Sequence, residues 1–407
     1  MNLSTQKQVN QLESMTPEEK QATGLLAGLF SLRMLGLFML LPVLALHIND
    51  FPDSNQQLIG LTLGMYGLTQ ALFQIPFGIL SDRIGRKPVI FIGLVLLSIG
   101  SVMAMYATSL WMLMMARAIQ GAGAIGATVL AFAADLTRES VRSRAMAVIG
   151  ITIGASFGLA MVLGPLLDAA FGLPGIFGFT CIFSILGMFL LYFLGPAEDG
   201  ADGTISASYL NTTEQSVAAQ LCGVLTNKNL MCLNICIACL HASFSSCFLF
   251  IPNIIVDFLE KSAHQSWQVY VPVLVGAVLL MTPFVRFADK KQKLQSSLLT
   301  SVLIFAGSMF LLLFLHSKIG VYAGLIVFFA AFSILESLLP AFVSQLVPKN
   351  QRGAALGVYS TFQFLGIFLG GAVGGMVQQT YGLLGLALWC MILVLLFIGA
   401  IGYVKRY

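Results

Sequence analysis

Three charged residues lie deep inside long apolar stretches of the sequence. They are Arg33, Arg117 and Glu336. If these stretches cross a bilayer, each charge costs roughly 2.5 kcal/mol or more unless it faces a cavity or a partner, so such residues mark functional sites. We interpret the three as a buried charge network, in which Glu336 is the best candidate to bind and release a proton. Two structural alternatives stay open: a permanent ion pair at Glu336, and a hydrogen-bonding hub that joins Arg117 to carbonyl groups of the first span.

A short loop near residue 80 concentrates glycines and charges. The segment GILSDRIGRKP begins at Gly78, and its two glycines permit a tight turn and a close approach of helices. Asp82 can cap a helix N-terminus or pair with a guanidinium, and Arg86 can reach Asp135 at the end of another apolar stretch. We therefore predict a conformational latch, and its residues are Gly78, Asp82, Arg83, Gly85, Arg86, Lys87 and Asp135. The alternative is that these charges only fix the topology.

Polar residues at helical spacing define candidate walls of a substrate cavity. Each set recurs on one face of an apolar stretch, with intervals such as i, i+4 and i+8. The predicted cavity residues are Tyr66, Gln70, Gln74, Asn234, His241, Tyr359 and Gln363. The same stripes are equally compatible with hydrogen bonds between packed helices.

Other chemistry is excluded by context. Residues 154–158 fit the Gly-x-Ser-x-Gly pattern, but a nucleophile elbow needs a strand-to-helix turn and this segment is an apolar helix. Three cysteines and His241 cluster within residues 232–241, but their spacing is not that of a zinc site. The sequence has no Gly-Lys-Ser/Thr phosphate loop. We expect no enzymatic activity, no metal and no cofactor, with a proton gradient as the energy source.

The composition requires that these residues be carried by membrane helices. The chain has 407 residues, of which 58% are hydrophobic and only 9% are charged, whereas a soluble domain is about 25% charged. Because lipid cannot satisfy backbone polar groups, long apolar runs must be helical. We predict an all-α membrane protein with twelve transmembrane helices, at 23–47, 58–80, 89–107, 110–134, 145–170, 174–196, 229–257, 267–287, 296–316, 319–346, 354–378 and 382–404.

The basic residues predict the orientation. With the N-terminus inside, 17 of the 21 lysines and arginines fall on cytoplasmic segments and only Lys261 and Lys318 fall outside. Positive charge favours the cytoplasmic side, so we expect both termini in the cytoplasm. The net charge of +4 is explained by this bias and indicates no nucleic-acid partner.

The predicted spans fall into two halves with weak internal similarity. The expected organisation is a cytoplasmic segment 1–22, a six-helix bundle 23–196, a flexible cytoplasmic linker 197–228, a second six-helix bundle 229–404 and a C-terminal segment 405–407. The residues that follow Arg142 recur after Arg352, at an offset of 210. A pair of parallel six-helix repeats is a transporter architecture, with the substrate site near the midplane between the halves.

The loop from Gly78 to Pro88 matches the signature loop of the major facilitator superfamily at every defining position. Span 4 resembles the second motif of that family, and spans 1 and 5 resemble the motifs of its twelve-helix drug:proton antiporters. The matching residues are Leu35, Gly36, Pro42, Arg117, Gln120, Gly121, Gly123, Gly164 and Pro165. Ala45, Ala160 and Asp168-Ala169 depart from the antiporter pattern. Within the superfamily the chain most resembles the YajR-type transporters of bacterial inner membranes. Because the sequence ends at Tyr407, directly after the last span, we expect it to lack the soluble C-terminal domain of those transporters.

This resemblance implies a secondary active transporter of the bacterial inner membrane that works by alternating access. The antiporter motifs imply proton-coupled efflux of a small, mostly hydrophobic molecule by a monomer in the lipid bilayer. The alternatives are a dedicated carrier that exports or imports one metabolite such as a siderophore, and, more remotely, a receptor on the same fold that transports nothing.

Overall fold

The helices of the protein follow the predicted spans. A computed structural model describes residues 15–195, 217–262, 265–291, 294–314, 317–348 and 351–404, and every long regular element in this part is a helix. Ten helical segments in it are long and apolar enough to cross a membrane. Their bounds are Pro17–Phe38, Gln56–Ile84, Arg86–Met105, Leu110–Asp135, Glu139–Leu194, Lys228–Leu259, Trp267–Phe284, Leu294–Phe314, Lys318–Leu346 and Arg352–Tyr403.

Two of these ten segments each contain two membrane spans, which follow one another without a loop between them. Glu139–Leu194 breaks at Gly172 with φ of 67°, and Arg352–Tyr403 breaks at Gly382 with φ of 65°. A positive φ is readily adopted only by glycine, so the residue type places each turn. Eight single spans and two double ones give twelve, which we number span 1 to span 12 in chain order. The fold class that the sequence predicts is therefore confirmed.

The backbone shows the repeat that the sequence indicates only weakly. Gly172 and Gly382 are 210 residues apart, which is the offset found between Arg142 and Arg352. Spans 4 and 10 also begin alike, because Ser109 and Ser317 each accept a hydrogen bond from the amide three residues on. Each half therefore has six spans with matched turns and caps.

Three spans are interrupted where the sequence shows a continuous apolar run. The helix of span 1 ends at Phe38 and a 3₁₀ turn follows at Leu44–His47. Span 4 consists of Leu110–Ala122 and Gly126–Asp135, and span 7 of Lys228–Cys247 and Ile251–Leu259.

The predicted ends of the first bundle and of the linker need correction. Span 1 begins at Pro17 rather than residue 23, because Thr16 and Glu19 form a capping box that starts the helix within the polar segment. The last part of the predicted flexible linker is a helix, Val217–Thr226. The predictions for residues 1–14, 197–216 and 405–407 lie outside the described residues.

The two halves pack together at one end of the bundle. We call the end that carries Arg86 and Asp135 the signature-loop end, and the other end the opposite end. Toward the opposite end, spans 2 and 11 meet so closely that a Cβ on Gly60 would collide with the carbonyl oxygen of Gly371, and one on Gly64 would lie 2.8 Å from that of Phe368. The backbone amide of Gln57 also donates to Gln379 Oε1 at 3.0 Å.

The halves are separated at the signature-loop end. Glycines on this part of spans 1, 5 and 11, such as Gly28, Gly154 and Gly357, have open space where a Cβ would be. On span 10, the side chain of Glu336 is 38% exposed and Ser337 is exposed. We interpret this exposure as a central cavity that opens at the signature-loop end in the described conformation.

Candidate functional site

The predicted latch residues meet where spans 2, 3 and 4 end. Arg86 begins span 3, directly after Gly85, whose φ of 97° forms the turn from span 2. Its guanidinium contacts Asp82 at 2.5 Å, Asp135 at 3.0 Å and the Ser81 hydroxyl at 2.6 Å. One arginine thus joins the ends of three spans, as the sequence predicts for Asp82, Arg86 and Asp135.

Other members of the predicted latch have different surroundings. Lys87 donates to the carbonyl oxygen of Gly195 at 3.0 Å and so joins span 3 to span 6. Arg83 is exposed and makes none of the contacts of Arg86. The packing at position 78 does not require glycine, because a Cβ there would lie at an ordinary distance of 3.9 Å from Ala127. This corrects the expectation that Gly78 allows two helices to approach closely. The Arg86 contacts all lie within the first half.

The two buried arginines surround Tyr66. The guanidinium carbons of Arg117 and Arg33 lie 4.7 Å and 5.9 Å from the centre of its ring. Arg117 donates to Gln120 at 2.8 Å, and Gln120 donates to Ser101 at 2.8 Å. The predicted hub between Arg117 and the carbonyl groups of span 1 is therefore replaced by a side-chain network between spans 3 and 4.

Arg33 starts a second chain of hydrogen bonds. It donates to the Oε1 of Gln70, and Gln70 donates to Gln74 at 2.7 Å. All of these side chains are buried. The predicted stripe on span 2 is therefore inside the first half, beside the arginines, rather than on the open wall of the cavity.

Glu336 belongs to a separate cluster in the second half. Its Oε1 accepts a hydrogen bond from Gln363 at 2.9 Å, and its Oε2 lies 3.5 Å from His241 Nε2. His241 Nε2 is also 3.0 Å from the Gln363 amide. The expectation that Glu336 pairs with a buried arginine is wrong for this conformation, because spans 7 and 11 supply its partners.

Two other predicted cavity residues are buried in the second half. Tyr359 and Asn234 are at most 4% exposed. The Tyr359 hydroxyl and the Asn234 amide nitrogen have no hydrogen-bond partner within the described residues. Tyr359 lies one helical turn before Gln363 on span 11, so the two side chains share one face of that helix.

Sequence reasoning missed an aromatic wall between the halves. Phe157 of span 5 lies with its ring 5.1 Å from that of Phe38, 5.8 Å from Phe244 and 5.9 Å from Phe329. Phe332 stacks on Phe244 at 3.9 Å and lies 5.5 Å from His241. The wall thus joins both halves next to the Glu336 cluster. Its rings in the second half are buried, whereas Phe38 and Phe157 are partly exposed. No periodicity distinguishes these phenylalanines from the other 26.

A second missed feature lies at the opposite end. His47 contacts Asp50 through Nδ1 at 2.5 Å and Asp168 through Nε2 at 2.9 Å. His47 lies beyond the helix of span 1, and burial disfavours its charged form, but the two carboxylates outweigh this and raise its pKa. Asp168 stands where the antiporter motif has glycine, so the departure noted in the sequence has a structural role.

Comparison with known proteins agrees with this architecture. Residues 26–371 match the family profile of the Major Facilitator Superfamily. The chain is 39% identical to the inner membrane transport protein YajR of Escherichia coli K12, covering 90% of this chain and 79% of that one. It is 26% identical to the multidrug resistance protein MdtH of Aeromonas hydrophila, over 89% and 88% of the two chains. A bacterial homologue of the human lysosomal transporter Spinster, crystallised inward-facing and unoccupied, superposes with a TM-score of 0.68 at 14% identity, over 96% and 95% of the chains.

Proposed function

The chain belongs to the Major Facilitator Superfamily and is a multi-pass transporter of the inner membrane, and we propose that it exports a small, mostly hydrophobic molecule in exchange for protons. The observation that carries this proposal is the position of Glu336. Its carboxylate lies in the middle of span 10 and is open to the cavity. His241 of span 7 and Gln363 of span 11 hold it in place. An ionisable group in that position is suited to take up and release a proton.

The orientation follows from the basic residues. Their bias toward the signature-loop end makes that end cytoplasmic, so the described conformation is inward-open, with both termini inside. Single cysteines at Lys261 and Lys318 should react with an impermeant thiol reagent added outside intact cells, and a cysteine at Lys228 should not. The reverse pattern of labelling would overturn this orientation.

The coupling step follows from the cost of burying charge. When the halves rock to close the inner opening, Glu336 loses its contact with water, and a neutral carboxyl group is much less costly to enclose than a carboxylate. Protonation therefore favours closure on one side, and opening on the other side changes the surroundings of the same group. Gln363 and His241 hold the carboxyl group in place through both steps.

The substrate class follows from the wall of the cavity. Phe157 is partly exposed and offers an aromatic face to an apolar body, backed by the buried ring of Phe244, while Gln363 offers a polar contact. Pockets of this composition bind mostly apolar molecules and orient them through few polar groups. The printed name of MdtH, a multidrug resistance protein, supports export of such molecules.

Reconstituted vesicles with an imposed pH difference test the proposal. Glu336→Gln keeps the shape of the side chain but removes the titrating group, so it should abolish accumulation against a gradient while substrate exchange continues. Glu260→Gln is the matched control, because Glu260 is a highly exposed carboxylate at the opposite end. Accumulation by Glu336→Gln at the wild-type rate would exclude this residue as the proton carrier.

A panel of efflux assays distinguishes broad export from a dedicated carrier. Resistance to several unrelated lipophilic compounds, lost on deletion of the protein, supports the proposal. A single growth defect that one metabolite relieves supports the carrier of one natural product instead.

A further inference from the structure

The first half contains two buried positive charges without a negative partner. Arg33 and Arg117 are each 1% exposed. Within the described residues neither guanidinium forms an ion pair, and the Nε atoms of both and the Nη1 of Arg33 have no hydrogen-bond partner. Buried charges are normally paired, because an isolated one loses its hydration without compensation. The described residues therefore supply no counter-charge at this site.

Beside Arg33, the polar groups that remain without a hydrogen-bond partner are all donors. Arg33 Nη2 donates to Gln70 Oε1, and Gln70 Nε2 donates to Gln74 Oε1. Both amide oxygens are thereby occupied, while the groups left over are Nε and Nη1 of Arg33 and the amide nitrogen of Gln74. A cluster of donors of this kind is complementary to an anion.

The second part of span 4 begins at the same point. Gly126–Asp135 is a ten-residue helix whose N-terminus has no side-chain cap, so its first amides point outward with the positive end of the helix dipole. A Cβ on Gly126 would lie 3.5 Å from Arg33 Nη1 and 3.5 Å from Gln74 Nε2. The unpartnered guanidinium and the helix terminus thus face one another across the space that this glycine leaves.

We propose that Arg33, Gln74 and the helix N-terminus at Gly126 bind one small anionic group, with the charge of Arg117 adding to the positive potential behind Tyr66. The group is either a halide ion that resides in the protein or the carboxylate of a transported molecule. The second source rests on the proposed export function, whereas the first does not. In either case the anion supplies the counter-charge that the described residues lack.

Thermal unfolding of the purified protein, without any gradient, measures this binding. Sodium chloride and sodium benzoate are titrated separately into a low-salt buffer, since a ligand that binds only the folded state raises the unfolding midpoint. The variants are Arg33→Gln, which removes the charge, and Gly126→Ala, whose Cβ fits at ordinary contact distance from Arg33 and Gln74 but narrows the space between them and the helix N-terminus. Arg352→Gln, an exposed arginine at the start of span 11, controls for charge and ionic strength.

We expect chloride, benzoate or both to stabilise the wild type and Arg352→Gln, and the apparent affinity to fall about tenfold or more in Arg33→Gln and Gly126→Ala. A response to chloride alone identifies a resident ion, and a response to benzoate alone identifies the carboxylate of a transported molecule. If neither anion stabilises the wild type, or if both variants respond like the wild type, the site does not exist. Because no pH gradient is involved, this result is independent of the Glu336→Gln experiment, and either proposal can fail alone.

Discussion

Arg86 is the residue on which the predicted latch depends. It is the common partner of Asp82 and Asp135, both about half exposed, and exposed ion pairs contribute only about 1 kcal/mol or less to stability. We therefore expect Arg86→Ala and Asp82→Asn to insert and fold normally but to slow transport at least about tenfold, a change in barrier of about 1.4 kcal/mol. Uptake into vesicles and the unfolding midpoint, with Arg352→Ala as control, measure the two effects. Wild-type transport by both variants would reduce the loop to a topology signal.

His47 makes the opposite end of the bundle sensitive to pH. Its pKa is raised because Asp168 and Asp50 outweigh the effect of burial, so the charged form stabilises the folded state. This contribution is complete below the unfolded pKa of about 6.5 and is lost as the pH rises through the higher folded pKa. The unfolding midpoint of the wild type should therefore fall between about pH 6 and pH 8 more than that of His47→Gln. Equal slopes for the two proteins would show that His47 does not titrate in this range.

At the residue scale, the sequence predicts contacts well only where one loop fixes them. Asp82 and Arg86 are one helical turn apart, so their contact follows from local spacing. The partners of Glu336 do not, because His241 and Gln363 come from spans 7 and 11 and only the packing of three helices brings them together. The sequence marks Arg33 and Arg117 as unusual. Their separation from Glu336 is set by the fold, because spans 1 and 4 belong to the first half and span 10 belongs to the second.

At the element scale, glycines control how closely spans 2 and 11 approach. A Cβ on Gly60 would collide with the Gly371 carbonyl and lie 2.9 Å from Gly375, and backbone atoms cannot yield without moving a helix. Gly60→Ala should therefore destabilise the closed opposite end and shift the population toward the conformation that opens there. Labelling of a single cysteine at Leu44, which is fully buried in the turn after span 1 at this end, by an impermeant reagent should accelerate about tenfold, as a shift of about 1.4 kcal/mol predicts.

The control for Gly60→Ala is Gly307→Ala. Gly307 is an exposed residue of span 9 with no atom within 4 Å of its Cβ position, so its substitution should leave the labelling rate unchanged. If Gly60→Ala labels no faster than this control, the contact between spans 2 and 11 does not set the conformational balance.

The sequence carries no signal for the places where the helices of spans 1, 4 and 7 are interrupted. The breaks after Phe38, Ala122 and Cys247 lie in runs whose composition stays apolar throughout, and hydropathy reports burial in lipid rather than backbone geometry. By contrast, the start of span 1 carried a readable signal, since Thr16, Pro17 and Glu19 form the pattern of a capping box. Gly172 lies in the predicted gap 171–173 between spans 5 and 6, whereas Gly382 lies one residue beyond the predicted gap 379–381 between spans 11 and 12. Only the structure shows that each turn needs one residue with positive φ.

At the scale of the whole molecule, the repeat makes the two halves equivalent in construction but not in chemistry. The breaks in spans 1 and 7 follow Phe38 and Cys247, 209 residues apart, so the same construction recurs in both halves. The first half holds the buried arginines and the second half holds the deep carboxylate. Rocking of two rigid halves therefore changes the surroundings of both sites in one movement, which suits the coupling of a proton to a substrate.

This rocking movement can be tested by joining the halves where they meet. Gln57 and Gln379 contact each other across the halves at the opposite end, with the Gln57 amide 3.0 Å from Gln379 Oε1. Cysteines at these two positions, in a background without the exposed Cys222, should react with a short thiol crosslinker. We expect the crosslink to hold the inward-open conformation and to reduce transport by at least about tenfold, because the substrate then reaches only one side.

The control pair lies at the same end but within one half. Glu260, directly after span 7, and Lys318, the first residue of span 10, form an ion pair at 3.0 Å, so crosslinked cysteines there should leave transport intact. A crosslinker with a reducible disulfide should restore transport of the Gln57–Gln379 pair after treatment with a thiol. If the crosslinked pair still transports at the wild-type rate, the opposite end does not open during the cycle and alternating access by rocking of these halves is wrong.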